Sequence, residues 1–104
     1  MRFLIHSQPR VGANEELVAQ LYPKAVEWLK ARKSEGKLEA VYSFADRPGG
    51  VSIANVQSLE ELNDLIQDYP LFPVSDLEAM PLIDFERASQ RTLTKIRELE
   101  RVLG

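Results

Sequence analysis

Residues 69–82, with the sequence YPLFPVSDLEAMPL, decide the fold of this chain. Proline fixes φ and has no amide proton to donate. Pro70 therefore ends the helical pattern before it, and Pro73 favours an extended start for the segment after it. From position 74 to position 80 polar and apolar residues alternate, which predicts a strand. One face of this strand would carry Val74, Asp76, Glu78 and Met80, and the other face Ser75, Leu77 and Ala79.

Two features of this segment are unusual for a plain surface strand. Leu71 and Phe72, between the two prolines, are too apolar for an exposed loop tip. We predict that Phe72 is buried, either in the core or in a contact with a second subunit. Asp76 and Glu78 share a strand face with apolar neighbours, which indicates a pocket, a pairing across an interface or a solvated surface.

The remaining strands lie before this segment. The alternation predicts strands at 2–7, 37–45 and 50–56, and a turn at 46–50 joins the last two into a hairpin. On one face of the second strand we place Leu38, Ala40, Tyr42 and Phe44.

Three helices complete the pattern. Asn14 is the predicted N-cap of the first helix and Gly36 its C-terminal glycine, while Pro23 must kink this helix or divide it. Ser58 and Glu61 form the capping box of the second helix. The third helix, 85–103, is amphipathic, with an inward stripe of Ala88, Leu93, Ile96, Leu99 and Val102 or Leu103.

The element order β-α-β-β-α-β followed by a helix is the ferredoxin-like pattern of an α+β domain. We predict a single domain over residues 1–84, with 85–104 as a helix that belongs to the same domain or to a dimer contact. The two internal helices cover one sheet face, so a second subunit or the last helix must cover the other. Two such sheets face to face would form a dimeric α+β barrel with a ligand cavity inside.

Composition narrows the partners and the chemistry. The chain has 104 residues and a net charge of −3, with no basic stripe that would bind nucleic acid. The absence of cysteine excludes disulfides and thiolate catalysis, and a single histidine argues against a zinc site. We find neither a signal peptide nor a run long enough to span a membrane, so we expect a cytoplasmic protein with no membrane partner.

The predicted catalytic groups are His6, Asp76 and Glu78, because these titratable side chains lie on predicted strand faces. Histidine changes charge near neutral pH and can shuttle a proton, and a desolvated carboxylate can act as a general base. The structural alternatives are a hydrogen-bonded strand histidine and carboxylates that pair with Arg2 or Arg47. The predicted substrate-binding residues are Tyr42, Asn55, Arg2, Arg47 and Phe72.

Several runs match one known family in the same order. These are GVSIANV at 50–56, Ser58 with Glu61 and Leu62, Leu71-Phe72-Pro73, and Asp76 with Glu78. In them the chain resembles muconolactone Δ-isomerase, over the range Met1–Leu82. The resemblance implies a dimeric α+β barrel that needs no cofactor and moves a proton between carbons of an unsaturated lactone. It also points to the carboxylate-bearing strand for the base.

The chain departs from the family in two places. Residues 39–43 read EAVYS where basic and aromatic residues are expected, and Val26 stands beside Glu27 where a lysine is expected. An anionic lactone needs a cation in its pocket, and the candidates are Arg2, Arg47 and His6.

Two classes of function therefore stay open. One is a cofactor-free, isomerase-like enzyme acting on a small cyclic unsaturated substrate, or a cofactor-independent oxygenase or polyketide-type cyclase of the same fold. The other is a non-catalytic module that binds a small molecule or holds an oligomer together. Both classes predict that the partners are a small molecule and a second copy of this chain.

Overall fold

A computed structural model describes residues 1–104 and confirms the α+β class and the element order. The strands are β1 (Arg2–Pro9), β2 (Leu38–Ser43), β3 (Gly50–Asn55) and β4 (Ser75–Leu82). The helices are α1 (Glu15–Ser34), α2 (Leu59–Asp68) and α3 (Phe85–Leu103). The strands form one antiparallel sheet in the order β2-β3-β1-β4. None of the helices combines the length and the apolar character that crossing a bilayer requires.

Local sequence signals set both ends of α1. The Asn14 side chain accepts a hydrogen bond from the amide of Leu17 at 3.1 Å, which confirms the N-cap. Gly36 adopts a φ of 80°, and the amide of Lys37 closes the last turn on the carbonyl of Arg32. Between these ends the helix is continuous across Pro23, so a division there is wrong. A helix of this length absorbs the loss of one amide donor.

The segment from α2 to β4 follows the prediction only in part. The Ser58 hydroxyl accepts from the amide of Glu61 at 3.1 Å, while the Glu61 carboxylate reaches the amide of Gln57. The extended start at Pro73 is wrong, because Phe72–Val74 forms a single 3₁₀ turn. The φ of proline suits this turn as well as it suits a strand. Val74 is therefore buried within the turn and does not share a strand face with Asp76.

The strand register fixes which side chains meet the helices. Ile5 of β1 lies opposite Ser52 on β3 and Ala79 on β4, and these positions face α1 and α2. The main core cluster is Phe3, Ile5, Leu38, Ala54, Val56, Leu62 and Leu65. The opposite surface, which we call the open face, carries Arg2, Leu4, His6, Ala40, Tyr42, Val51, Ile53, Asn55, Asp76, Glu78, Met80 and Leu82.

A β-bulge corrects the face predicted for the second strand. Leu38 pairs with Ala54 and Ala40 pairs with Ile53, so Glu39 is an extra residue on β2. Because successive side chains point to opposite faces, this insertion exchanges the faces to which the later side chains of β2 point. Leu38 is buried under the helices, whereas Ala40 and Tyr42 lie on the open face.

Helix α3 projects away from the sheet. No residue of α3 is buried, and the longest dimension of the molecule is 63 Å. The radius of gyration is 18.2 Å, compared with about 13 Å for a compact domain of this length. Within one chain α3 therefore does not cover the open face, and its predicted contact with a second subunit stays a prediction. Coverage of that face by a second subunit stays a prediction.

Candidate functional site

A cleft of about 700 Å³ opens between the helix-covered face of the sheet and α1. Its walls are mostly apolar, and the β2–β3 hairpin and the turn after α2 close its sides. The residues that shape it include Ile5, Val18, Tyr22, Val26, Trp28, Val41, Phe44, Leu71, Val74 and Leu77. This volume falls in the range of small-molecule sites, which bury most of a ligand in apolar surroundings.

The polar groups of the cleft centre on Tyr69, at the end of α2. Its ring packs against the Trp28 ring with 5.5 Å between centroids. Burial raises the pKa of the Tyr69 phenol, while hydrogen bonding with the Ser7 side chain lowers this pKa to a smaller extent and nearby Tyr22 raises it slightly. The phenol therefore keeps its proton over a wide pH range. It can serve as a neutral hydrogen-bond donor to a ligand oxygen.

Cationic side chains border the same cleft. Arg47 lies over the Phe44 ring at 5.3 Å and pairs loosely with Asp46 at 3.5 Å. Lys30 and Lys33 line the cleft from α1. The predicted site does not include these two lysines. The sequence does contain a signal for them, because Lys30 lies four residues after Val26 and Lys33 three residues after Lys30, on the helical face that Tyr22 and Val26 share.

The predicted catalytic residues lie outside this cleft, on the open face. His6 and Glu78 are directly opposite each other on β1 and β4, and no bond joins them. The Asp76 carboxylate pairs with Arg10 at 3.5 Å, so within one chain its partner is neither Arg2 nor Arg47, while a pairing across a dimer stays a prediction. His6 alone contacts the cleft indirectly, because its ring lies 5.2 Å from the ring of Phe44, a cleft wall.

The predicted substrate-binding residues separate into three places. Arg47 and Tyr42 border the cleft, although the Tyr42 side chain is 67% exposed. Arg2 and Asn55 lie side by side at the far end of the sheet, where Arg2 is held by both oxygens of Glu39 at 3.0 Å. Phe72 is 39% exposed, so it is not buried in the core of one chain, and its burial in a contact with a second subunit stays a prediction. The 3₁₀ turn explains this, since it buries Val74 and leaves Phe72 at the surface.

No three His, Asp or Glu side chains come together in an arrangement that could hold a metal ion.

The model of one family, described as muconolactone delta-isomerase, matches residues 1–88. The chain belongs to the muconolactone delta-isomerase family. This confirms the resemblance and extends it beyond Leu82, past the end of β4. The match includes every residue of the cleft and of the open face, but only the first turn of α3.

Relatives support the family and the fold. The muconolactone delta-isomerase of Rhodococcus opacus is 28% identical over 83 residues, which cover 76% of this chain and 89% of that protein. A crystal structure of muconolactone isomerase superposes with a TM-score of 0.71 at 26% identity, covering 81% of this chain and 90% of that one. A 5-chloro-2-hydroxyhydroquinone dehydrochlorinase of Burkholderia phenoliruptrix shares the fold, with a TM-score of 0.66 at 16% identity. It covers 84% of this chain and 98% of that one.

The raised pKa of Tyr69 predicts how stability depends on alkaline pH. An unfolded tyrosine loses its proton near the ordinary pKa of 10.0, whereas the folded protein holds this proton to higher pH. The contribution of Tyr69 to the free energy of unfolding is fully present below pH 10. It declines as the pH rises toward the folded pKa, because the unfolded state then binds fewer protons than the folded state. Urea midpoints from about pH 9 to about pH 11 should fall more steeply for the wild type than for Tyr69→Phe. Tyr42→Phe, at an exposed position, should keep the wild-type slope, and equal slopes for all three proteins would contradict the prediction.

Proposed function

We propose that this protein is a cofactor-free isomerase that moves a proton between carbon atoms of a small, unsaturated cyclic acid. The observation that carries the proposal is the apolar cleft, with a neutral phenol inside and cations at its edge, in a chain of this family. The apolar walls suit a ring, and the cations suit a carboxylate. Muconolactone, an unsaturated lactone with a carboxylate side chain, has both parts.

Substrate orientation follows from where the polar groups lie. Arg47 presents a planar guanidinium, which binds a carboxylate with two hydrogen bonds, and Lys33 adds a second positive charge from α1. The ring then lies between the sheet and Tyr22, with its carbonyl directed to the Tyr69 hydroxyl. Removal of a proton beside that carbonyl would develop an enolate, which a hydrogen bond from the phenol stabilises.

The reaction also needs a base that removes the proton from one carbon and returns it to another. No carboxylate lines the cleft, so we assign this role to a group among His6, Glu78 and Asp76. His6 is the first choice, because its ring packs on Phe44, a wall of the cleft, and a movement of the Phe44 side chain would let the imidazole reach the substrate. Asp76 is the last choice, because its carboxylate is already engaged in an ion pair with Arg10.

Muconolactone in deuterated buffer tests this proposal directly. We expect a change in the position of the double bond together with deuterium incorporation, both visible by proton NMR and both independent of added metal or cofactor. Absence of turnover and of deuterium exchange at high protein concentration would overturn the isomerase assignment for this substrate.

The carboxylate-binding role of Arg47 has its own test. Arg47→Gln should raise KM by roughly 10- to 100-fold with a smaller effect on kcat, because it removes a charged hydrogen-bond donor from the bound acid. Arg87→Gln, an exposed change on α3, is the matched control and should leave KM unchanged. An unaltered KM in Arg47→Gln would place the carboxylate site elsewhere.

A further inference from the structure

Helix α3 exposes a row of large apolar side chains that its own domain does not cover. Leu93, Ile96 and Leu99 are 44%, 45% and 60% exposed, and Phe85 and Leu103 are more exposed still. The helix is well formed, since the Asp84 carboxylate caps its first turn by accepting from the amide of Arg87 at 3.1 Å. Residues 89–104, which carry all of this row except Phe85, lie outside the family match.

The spacing along α3 is that of a coiled coil. One set of positions alternates steps of four and three residues over the whole helix, namely Phe85, Ser89, Thr92, Ile96, Leu99 and Leu103. Such a 4-3 repeat keeps one seam of the helix directed at a partner helix. Leu93 and Val102 flank this seam and widen it in the second half of the helix. The apolar row therefore matches the surface of another helix better than it matches a flat sheet.

The charges beside the seam favour a second copy of this helix in parallel orientation. In a parallel pair, Lys95 of one chain lies beside Glu100 of the other, which gives two attractive pairs by symmetry. In an antiparallel pair with the same seam, Lys95 meets Lys95 and Glu86 meets Glu100, which are repulsive. Within one chain Lys95 makes only an exposed contact with Glu98 at 3.8 Å, so Lys95 is available to a partner.

We propose that α3 pairs in parallel with α3 of a second copy of this chain about a two-fold axis. The parallel pair brings both domains to the same end of the helices, because Ile83 and Asp84 alone connect each helix to β4. The two open faces, with Leu4, Ile53 and Met80, then lie within reach of each other. The helix pair thus holds two chains together independently of the chemistry in the cleft.

Light scattering at micromolar concentration tests the pairing. The wild type should be a dimer, and Ile96→Asp should weaken its self-association by roughly 100-fold, because two carboxylates would enter the seam. Thr94→Asp introduces the same charge on the outer side of the helix and should remain dimeric. A monomeric wild type would overturn the proposal, and so would equal weakening in both variants. A monomer that binds anionic vesicles would instead assign α3 to a membrane surface.

Disulfide trapping tests the orientation, since the chain has no cysteine of its own. Leu99→Cys should form a covalent dimer under mild oxidation, because the two copies of position 99 meet only in a parallel pair. Thr94→Cys, on the outer side, should not. Charge reversal gives a second measure: Lys95→Glu should weaken the dimer and Lys95→Glu/Glu100→Lys should restore it. A dimer that lacks the 99–99 disulfide and is not restored by the double reversal would overturn the parallel arrangement.

Discussion

Replacing His6 by glutamine should lower the turnover of muconolactone by roughly 10²–10⁴-fold while the protein stays folded. Among the three candidate bases, His6 alone touches a wall of the cleft, through the Phe44 ring at 5.2 Å. Glutamine retains a polar side chain that can form hydrogen bonds on the strand but cannot take up a proton at neutral pH. The loss should therefore appear in kcat more than in KM.

The other two candidates supply the comparison for this result. Glu78→Gln removes the carboxylate opposite His6, and Asp76→Asn removes the one paired with Arg10. If His6 is the base, Glu78→Gln should have a smaller effect and Asp76→Asn should be close to wild type. Normal turnover in His6→Gln with a large loss in Glu78→Gln would transfer the role to Glu78. Normal turnover in all three variants would remove the base from the open face.

The largest effect on stability is expected from Gly49→Ala, at about 3 kcal/mol or more. Gly49 has a φ of 109°, where a side chain is strained. A Cβ at this position would also collide with the carbonyl oxygen of Ser7 and lie 3.3 Å from the Phe44 ring. Because backbone atoms cannot move aside cheaply, the β2–β3 hairpin would separate from β1 at the edge of the cleft.

Gly12→Ala is the matched control for this substitution. Gly12 also has a positive φ, of 80°, but a Cβ added there would have no atom within 4 Å. This change should cost only about 1 kcal/mol, from backbone strain alone. Urea denaturation of both variants separates the two contributions, and equal costs would show that the contact with Ser7 does not restrict the hairpin.

Much of the architecture could be predicted because its signals are local. Asn14 and Ser58 cap the helices that follow them, and Gly36 and Pro70 end the helices that precede them. Each of these residues acts on backbone groups within a few positions of itself, so its effect can be read from the sequence alone. The family could be recognised for a related reason, since the motif Leu71-Phe72-Pro73 and the runs around it have the same order here as in the family.

The cleft and its residues could not be predicted in the same way. Tyr69 ends α2 and Ser7 is in β1, and only the pairing of β1 with β4 and the packing of α1 bring these side chains together. In the sequence, Lys33 is typical of a solvated helix end and Arg47 of a turn. No motif indicates that the two side chains border the same cleft. A site assembled from four elements has no single sequence pattern, because its residues are close in space but far apart along the chain.

The sequence by itself determined the order of the elements, the ends of α1 and α2 and the family, because capping, proline geometry and alternation depend on neighbours along the chain. Tertiary structure decided which faces those elements present. The extra residue at Glu39 reverses the phase of β2, the 3₁₀ turn at Phe72–Val74 exposes Phe72, and the sheet places His6 on the opposite side from Tyr69. Each outcome depends on strand register and packing between distant segments, where a shift of one residue exchanges the buried and exposed faces.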